Sequence, residues 1–240
     1  MIPKTIHYCW FGGNKKNNEI NSYIQSWKKY FPDYEIIEWN ESNFDIKCCD
    51  YVWEAYKSKK WAFVSDYARF RILYEHGGIY FDTDVEIIKS FNDVLKNGAF
   101  MGCEKSLNGD EMINPGLGMA ANRHMIIYKE ILDYYEKIHF SSEHVLTVVD
   151  HTTAIMERYG FKRIPQKQVI KGINIYPSEY FCPIDMRTGK INVCTDTYSI
   201  HHYKGSWQSS YSRFKTKARK FVGPSIANII SKLKRKHLNV

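Results

Sequence analysis

Two rhythms of apolar and polar positions run through the first part of the chain. Residues 4–11, KTIHYCWF, are dense in β-forming side chains and end at Gly12-Gly13-Asn14, which predicts a strand followed by a loop. Ile20, Tyr23, Ile24 and Trp27 then recur at spacings of three and four, the period of an amphipathic helix over 19–30, and Pro32 stops it. Residues 34–39, YEIIEW, predict a second strand. A β-α-β opening of this kind predicts an α/β protein with a parallel sheet and covering helices.

The helical rhythm returns over 62–76 and ends at Gly77-Gly78, where glycine best tolerates a left-handed backbone. Ile79-Tyr80-Phe81 follows as a strand, whose period of two puts Tyr80, Asp82 and Asp84 on one side and Ile79 and Phe81 on the other. Two carboxylates therefore stand at the carboxyl end of a strand, which is where open α/β sheets bind ligands. Asn114-Pro115-Gly116-Leu117-Gly118 has the composition of a loop, and helices are predicted over 124–137 and 149–159. Short strands are predicted at 169–170, 173–177 and 198–203. No internal repeat or low-complexity segment is present.

Composition narrows the class. With 240 residues, 44% hydrophobic and 25% charged, and only 7 prolines and 14 glycines, the chain is globular and neither disordered nor fibrous. No apolar run approaches the roughly 18 residues that would span a membrane, and the opening MIPKT carries no charged segment followed by an apolar one, so neither secretion nor membrane spanning is expected. Cys9, Cys48, Cys49, Cys103, Cys182 and Cys194 are scattered without a CxxC pair and read as reduced cytosolic thiols. The net charge of +8 is unevenly placed: residues 211–240 hold nine basic residues and no acidic one, which leaves about −1 for residues 1–210. The basic character belongs to a tail, and a nucleic-acid-binding surface over the whole body is disfavoured.

The chemistry concentrates in one string. Asp82-Thr83-Asp84 is a DxD, weak evidence alone, but residues 65–84 read SDxxRxxxLxxxGGxYxDxD, which is long and specific. This string resembles the signature of the DXD-containing sugar-transferase family that includes yeast initiating mannosyltransferases and bacterial capsular-polysaccharide glycosyltransferases, with a more distant likeness to the clostridial glucosylating toxins. Ile2-Pro3-Lys4-Thr5-Ile6-His7-Tyr8-Cys9-Trp10-Phe11-Gly12 resembles the family's opening strand, and His201-His202-Tyr203-Lys204-Gly205-Ser206-Trp207 its closing motif. The resemblance covers residues 1–210, the expected catalytic domain. It implies a GT-A-type nucleotide-sugar-binding fold with a central mixed, mostly parallel sheet, a nucleotide-sugar donor (a UDP-sugar favoured over GDP-mannose), a divalent metal (Mn²⁺ or Mg²⁺), and transfer with retention.

Those roles fit the residue chemistry. The donor's diphosphate gains negative charge as the glycosidic bond breaks, and a cation held by carboxylates neutralises it. The resemblance assigns Asp84 to the metal directly and Asp82 to the metal through water or to the donor ribose. Asp66 and Arg69, three apart on one helix face, are assigned to the donor's sugar hydroxyls and phosphate side, although a plain ion pair has the same spacing. Arg71 and Glu75 read as a surface pair. His201 and His202 are candidate metal ligands, and neighbouring strand residues face opposite ways, so one is expected to reach the metal, with His201 preferred. Ser206 and Trp207 are expected to complete the diphosphate shell. Tyr8 and Trp10 are candidates for the base platform, Tyr80 for the donor site, and Asn114, Gly116 and Gly118 for close approach of the sugar. Asp150 or His151 is expected to face the acceptor, a saccharide or lipid-linked saccharide.

Beyond Gly223-Pro224, Ile226, Ile229, Ile230 and Leu233 fall at helical spacings between basic clusters, so residues 211–240 predict a basic amphipathic tail on an anionic membrane and an enzyme peripheral to the inner face of the plasma membrane. Two other readings compete. A phosphohydrolase of the haloacid dehalogenase type also uses a DxD, but prefers Thr or Val where Glu86 stands and places its motif near the amino terminus. A degenerate binding module, or a nucleic-acid binder acting through the tail, leaves the intact string without use.

Overall fold

The computed structural model describes residues 1–142, 146–185 and 188–203. In chain order its elements are β1 (Thr5–Cys9), α1 (Asn18–Tyr30), β2 (Glu35–Trp39), α2 (Asp50–Lys57), α3 (Trp61–His76), β3 (Gly78–Tyr80), β4 (Val85–Ile87), α4 (Asn92–Lys96), β5 (Phe100–Lys105), β6 (Glu111–Ala121), α5 (Ile126–Tyr135), α6 (Val148–Glu157), β7 (Gln168–Ile170), β8 (Ile173–Tyr176) and β9 (Ser199–His201). A single 3₁₀ turn, Ser178–Tyr180, follows β8.

Seven strands form the main sheet in the order β2-β1-β3-β6-β5-β8-β7. The pairs β1·β2, β1·β3 and β5·β8 are parallel, while β3·β6, β5·β6 and β7·β8 are antiparallel. Five strands therefore share one direction and β6 and β7 oppose it, which is the mixed, mostly parallel sheet expected from the sequence. The pair β4·β9 stands apart as a small antiparallel ribbon, with Val85 opposite His201.

Each face of the sheet carries its own apolar layer. One gathers Val52, Phe63, Tyr67, Phe70, Leu73, Tyr128, Ile131, Tyr135 and Met156 from α2, α3, α5 and α6. The other gathers Ile24, Trp27 and Phe31 from α1 with Phe81, Phe91, Phe100 and Phe181, and the Trp27 indole N–H donates to the Val85 carbonyl at 2.8 Å, which ties α1 to the ribbon. The α1 helix is capped by the Asn17 side chain accepting from the Ile20 amide. α3 is buried on nearly all sides, consistent with its apolar residues spreading around the helix. It ends at Gly77 (φ 64°) and Gly78 (φ 97°); a Cβ on Gly78 would sit 2.6 Å from the Thr5 carbonyl oxygen, so only glycine lets β3 start against β1.

One segment departs from its sequence reading. Residues 114–118, expected as a loop, lie inside β6, the longest strand. The loop signal has a local cause: along β5, Met101 pairs with Met119 but the next residue, Gly102, pairs with Asn114, so Pro115 to Gly118 form an excursion on β6. Proline and glycine sit where ladder hydrogen bonds are interrupted.

Candidate active site

The site is built where β3 ends. Past Tyr80 the chain runs Phe81-Asp82-Thr83-Asp84 into β4, and the Asp82 amide donates to the Gly116 carbonyl at 3.1 Å, fixing the DxD against the β6 excursion. A Cβ placed on Gly116 would come within 2.1 Å of Asp82 Oδ2, so this carboxylate oxygen fills the space that glycine leaves. The β4·β9 register then sets His201 beside Asp84: His201 Nε2 lies 3.0 Å from Asp84 Oδ1, and the His202 amide donates to the Asp84 carbonyl at 2.9 Å.

Asp82, Asp84 and His201 together present three ligand atoms within 4.8 Å of one another. Two carboxylates and an imidazole form a donor set suited to a divalent cation, with the nitrogen favouring Mn²⁺ over Mg²⁺. Burial lowers the proton affinity of His201, but facing Asp84, with Asp82 and Glu104 nearby, outweighs it and raises the pKa above the ordinary histidine value. His201 Nδ1 is buried and has no hydrogen-bond partner among the described residues. His202 is not brought to this cluster: its Nε2 sits 2.9 Å from Glu86 and its ring stacks on Tyr23 at 4.6 Å, on the opposite side of β9. The two neighbouring histidines thus have different partners, Asp84 for His201 and Glu86 for His202.

Behind the cluster, α3 presents Asp66 and Arg69 one turn apart, both buried. Arg69 Nη2 reaches Asp66 Oδ1 at 3.2 Å and Asp82 Oδ1 at 3.1 Å, its Nε donates to the Ser65 carbonyl, and its guanidinium carbon lies 5.1 Å from the centre of the Tyr80 ring. The ion pair that the spacing allowed does form, and it extends to the DxD. The Tyr80 hydroxyl donates to Asp82 Oδ1 at 2.9 Å. Asp82 thus has one oxygen engaged by Arg69 and Tyr80, while the other faces Gly116. Burial pushes the Asp66 carboxyl up to about 7, against the pull of Arg69 and with the push of Asp82. Arg69 Nη1 is buried without a partner among the described residues.

Tyr8 and Trp10 share a face of the opening strand, with the Lys16 ammonium 5.6 Å and 5.5 Å from their ring centres. Tyr8 is buried, donates its hydroxyl to Glu38 at 2.6 Å and packs against Trp27, so Trp10 is the one of the pair left nearer the surface. Asn114 Oδ1 accepts from the Gly116 amide at 2.7 Å, within reach of the DxD. Asp150, expected at an acceptor pocket, instead caps its own helix in a reciprocal bond with Thr147. His151 is buried and bonded to the Tyr134 hydroxyl at 2.8 Å, and it lines a cavity of about 180 Å³ with Tyr51, Phe63 and Tyr134. Arg71 and Glu75 pair on the surface at 2.9 Å. Ser206, Trp207 and the tail 211–240 lie outside the described residues. The sequence reading passed over Glu104, whose carboxylate accepts from Asn114 and Tyr203; a single glutamate in a strand carries no motif by which to find it.

Residues 17–101 match the family model described as "Glycosyltransferase sugar-binding region containing DXD motif". The matched region is about a third of the chain and takes in α1, α3 and the DxD. Across 86% of its length it is 26% identical to an uncharacterized glycosyltransferase of Acanthamoeba polyphaga mimivirus, covering 84% of that protein. Over 42% of its length it is 32% identical to inositol phosphoceramide mannosyltransferase 3 of Schizosaccharomyces pombe, where it spans 29% of the relative. The fold resembles that of the PaToxG glycosyltransferase with a TM-score of 0.52 and 20% identity, over 65% of this chain and 69% of the other. These likenesses are to glycosyltransferases, which favours the sugar-transferase reading of the DxD over the haloacid-dehalogenase one. All six cysteines are free. Among the described residues no helix is long and apolar enough to cross a membrane.

Proposed function

We propose that this glycosyltransferase is metal-dependent and moves a hexose from a nucleotide-sugar donor to a saccharide or lipid-linked saccharide acceptor with retention, in surface-polysaccharide synthesis. The observation that carries the reading is the convergence of Asp82, Asp84 and His201 at the end of β3. Mn²⁺ is the best fit to these ligands, and when bound it would supply positive charge against the donor diphosphate.

The remaining roles follow from position. Arg69 holds Asp82 in place and keeps Nη1 for the donor side, while Asp66 faces the donor sugar as a carboxyl that burial keeps partly protonated near neutrality. Gly116 and Asn114 admit the sugar close to Asp82, Tyr80 orients Asp82, and Trp10 offers a surface for the base. Front-face attack, in which the leaving diphosphate accepts the acceptor's proton, needs positioning and charge stabilisation and no protein nucleophile. A UDP-sugar is favoured as donor over GDP-mannose. Residues 1–210 form the catalytic unit, and residues 211–240, with nine basic and no acidic side chains, dock on anionic lipid at the inner face of the plasma membrane.

A thermal-shift screen of UDP- and GDP-sugars with and without Mn²⁺ tests this reading. Stabilisation by one nucleotide sugar, dependent on Mn²⁺, is the expected result; no response to any donor with Mn²⁺ present contradicts it. NMR of the product separates retention from inversion.

A further inference from the structure

Glu104, near the end of β5, is outside the cation cluster, yet its carboxylate receives a bond from each side of it. Oε2 accepts from Asn114 Nδ2 and from the Tyr203 hydroxyl, each at 2.5 Å. On the first side, Asn114 Oδ1 takes the Gly116 amide at 2.7 Å, and Gly116 is the residue whose missing side chain makes room for Asp82 Oδ2. On the second side, the Tyr203 ring meets the His201 ring edge-on at 4.3 Å between centres. Tyr203 adopts φ 47°, a left-handed conformation that non-glycine residues take at an energetic cost, and its hydroxyl also lies 3.0 Å from Cys182 Sγ. A strained residue held by a charged acceptor, beside a candidate ligand, indicates a conformation kept for a purpose other than local stability.

We propose that Glu104 is a positioning residue for the cation site: one carboxylate oxygen ties the β6 excursion that shapes Asp82 to the end of β9 that carries His201. The inference rests on reading Asp82, Asp84 and His201 as cation ligands. Two short bonds to an ionised acceptor are of the stronger class, and both come from groups that touch ligand-bearing segments. Since β6 and β9 belong to different sheets, a shared acceptor fixes the separation of Asp82 and His201 in a way that neither sheet's own hydrogen bonds do. Outer groups of this kind set the orientation of metal ligands and, through it, affinity.

The test is a titration of the full chain with Mn²⁺ alone, reading free Mn²⁺ by electron paramagnetic resonance, for the wild type, Glu104→Gln, Glu104→Met and Tyr203→Phe. Glutamine keeps one oxygen able to accept both bonds, whereas methionine removes them at similar size. Glu104→Met is expected to weaken Mn²⁺ about 10- to 100-fold, Glu104→Gln to restore it to within about threefold of wild type, and Tyr203→Phe to fall between. Thermal midpoints recorded alongside separate loss of fold from loss of site. Wild-type affinity in Glu104→Met, or in Tyr203→Phe should the former not fold, overturns the proposal, as does a Glu104→Gln defect as large as that of Glu104→Met. Failure of the wild type itself to bind Mn²⁺ overturns the underlying cation-site reading instead.

Discussion

His201 Nε2 lies 3.0 Å from Asp84 Oδ1, although the two residues come from distant parts of the chain. The contact follows from register: β9 pairs with β4 so that His201 stands opposite Val85, and the strand after the DxD therefore delivers the third ligand-type side chain. The next residue, His202, just past β9, turns to Glu86 and Tyr23 instead. A two-stranded ribbon outside the main sheet thus completes the site.

Gly116→Ala is the most specific geometric test of the donor side. The added methyl would lie 2.1 Å from Asp82 Oδ2, inside contact distance, so the carboxylate must move. Displacement of a reacting-site group by about 1 Å costs on the order of 100-fold in rate, and that is the loss expected in steady-state transfer, with the fold retained by circular dichroism. Transfer at the wild-type rate would show that Asp82 has no fixed place in catalysis.

His7 makes stability depend on acid. It is buried between the Gly77 carbonyl, 3.0 Å from Nε2, and the Trp39 indole, which donates to Nδ1 at 3.1 Å. Burial lowers its pKa to about 4, with the Gly77 bond opposing and His76 adding to the effect. The unfolded chain takes up a proton near pH 6.5 and the folded one near 4, so this contribution is present above 6.5 and is lost as pH falls toward 4. The full loss is at most about 3 kcal/mol. Urea unfolding of wild type and His7→Gln at pH 7 and pH 4.5 checks it: wild type should lose more stability on acidification than the variant.

Asp66 acts in the opposite direction. Its folded pKa of about 7 lies above the unfolded carboxylate value, so the folded state keeps a proton that the unfolded state releases. This contribution is present below about pH 4 and is lost as pH rises through 7. Asp66→Asn, neutral at every pH, should gain stability relative to wild type between pH 5 and pH 8 in cation-free buffer. A difference between the two proteins that is flat with pH would place the Asp66 carboxyl at an ordinary value.

Much of this was legible in the sequence because it is local. The 3.6 and 2.0 periods located α1, α3, β1, β2 and β3 to within about two residues, and the DxD with its helix and glycine pair was visible as one string. What escaped depends on pairing. The β6 strand is interrupted by Pro115 and Gly116, so its loop-like composition hid a strand that only the β5 register shows. Tyr8 looked equivalent to Trp10 by alternation, but the α1 residue Trp27 packs over it and removes it from the surface. Asp150 looked free for an acceptor because a capping box and a binding carboxylate use the same residue type. Glu104 and Tyr203 gain their meaning only once β5, β6 and the segment after β9 are brought together.

On the proposed function, Asp84, with Asp82 and His201, makes sugar transfer depend on a divalent cation. Release of nucleoside diphosphate from a panel of nucleotide sugars, measured with Mn²⁺ and again with excess chelator for wild type and Asp84→Asn, tests it most directly. The expected result is turnover of one donor by the wild type that chelator abolishes and Mn²⁺ restores, and a loss of at least about 100-fold in Asp84→Asn with the thermal midpoint little changed. Wild-type turnover that persists undiminished in excess chelator, or turnover by Asp84→Asn equal to that of the wild type with Mn²⁺ present, would contradict it.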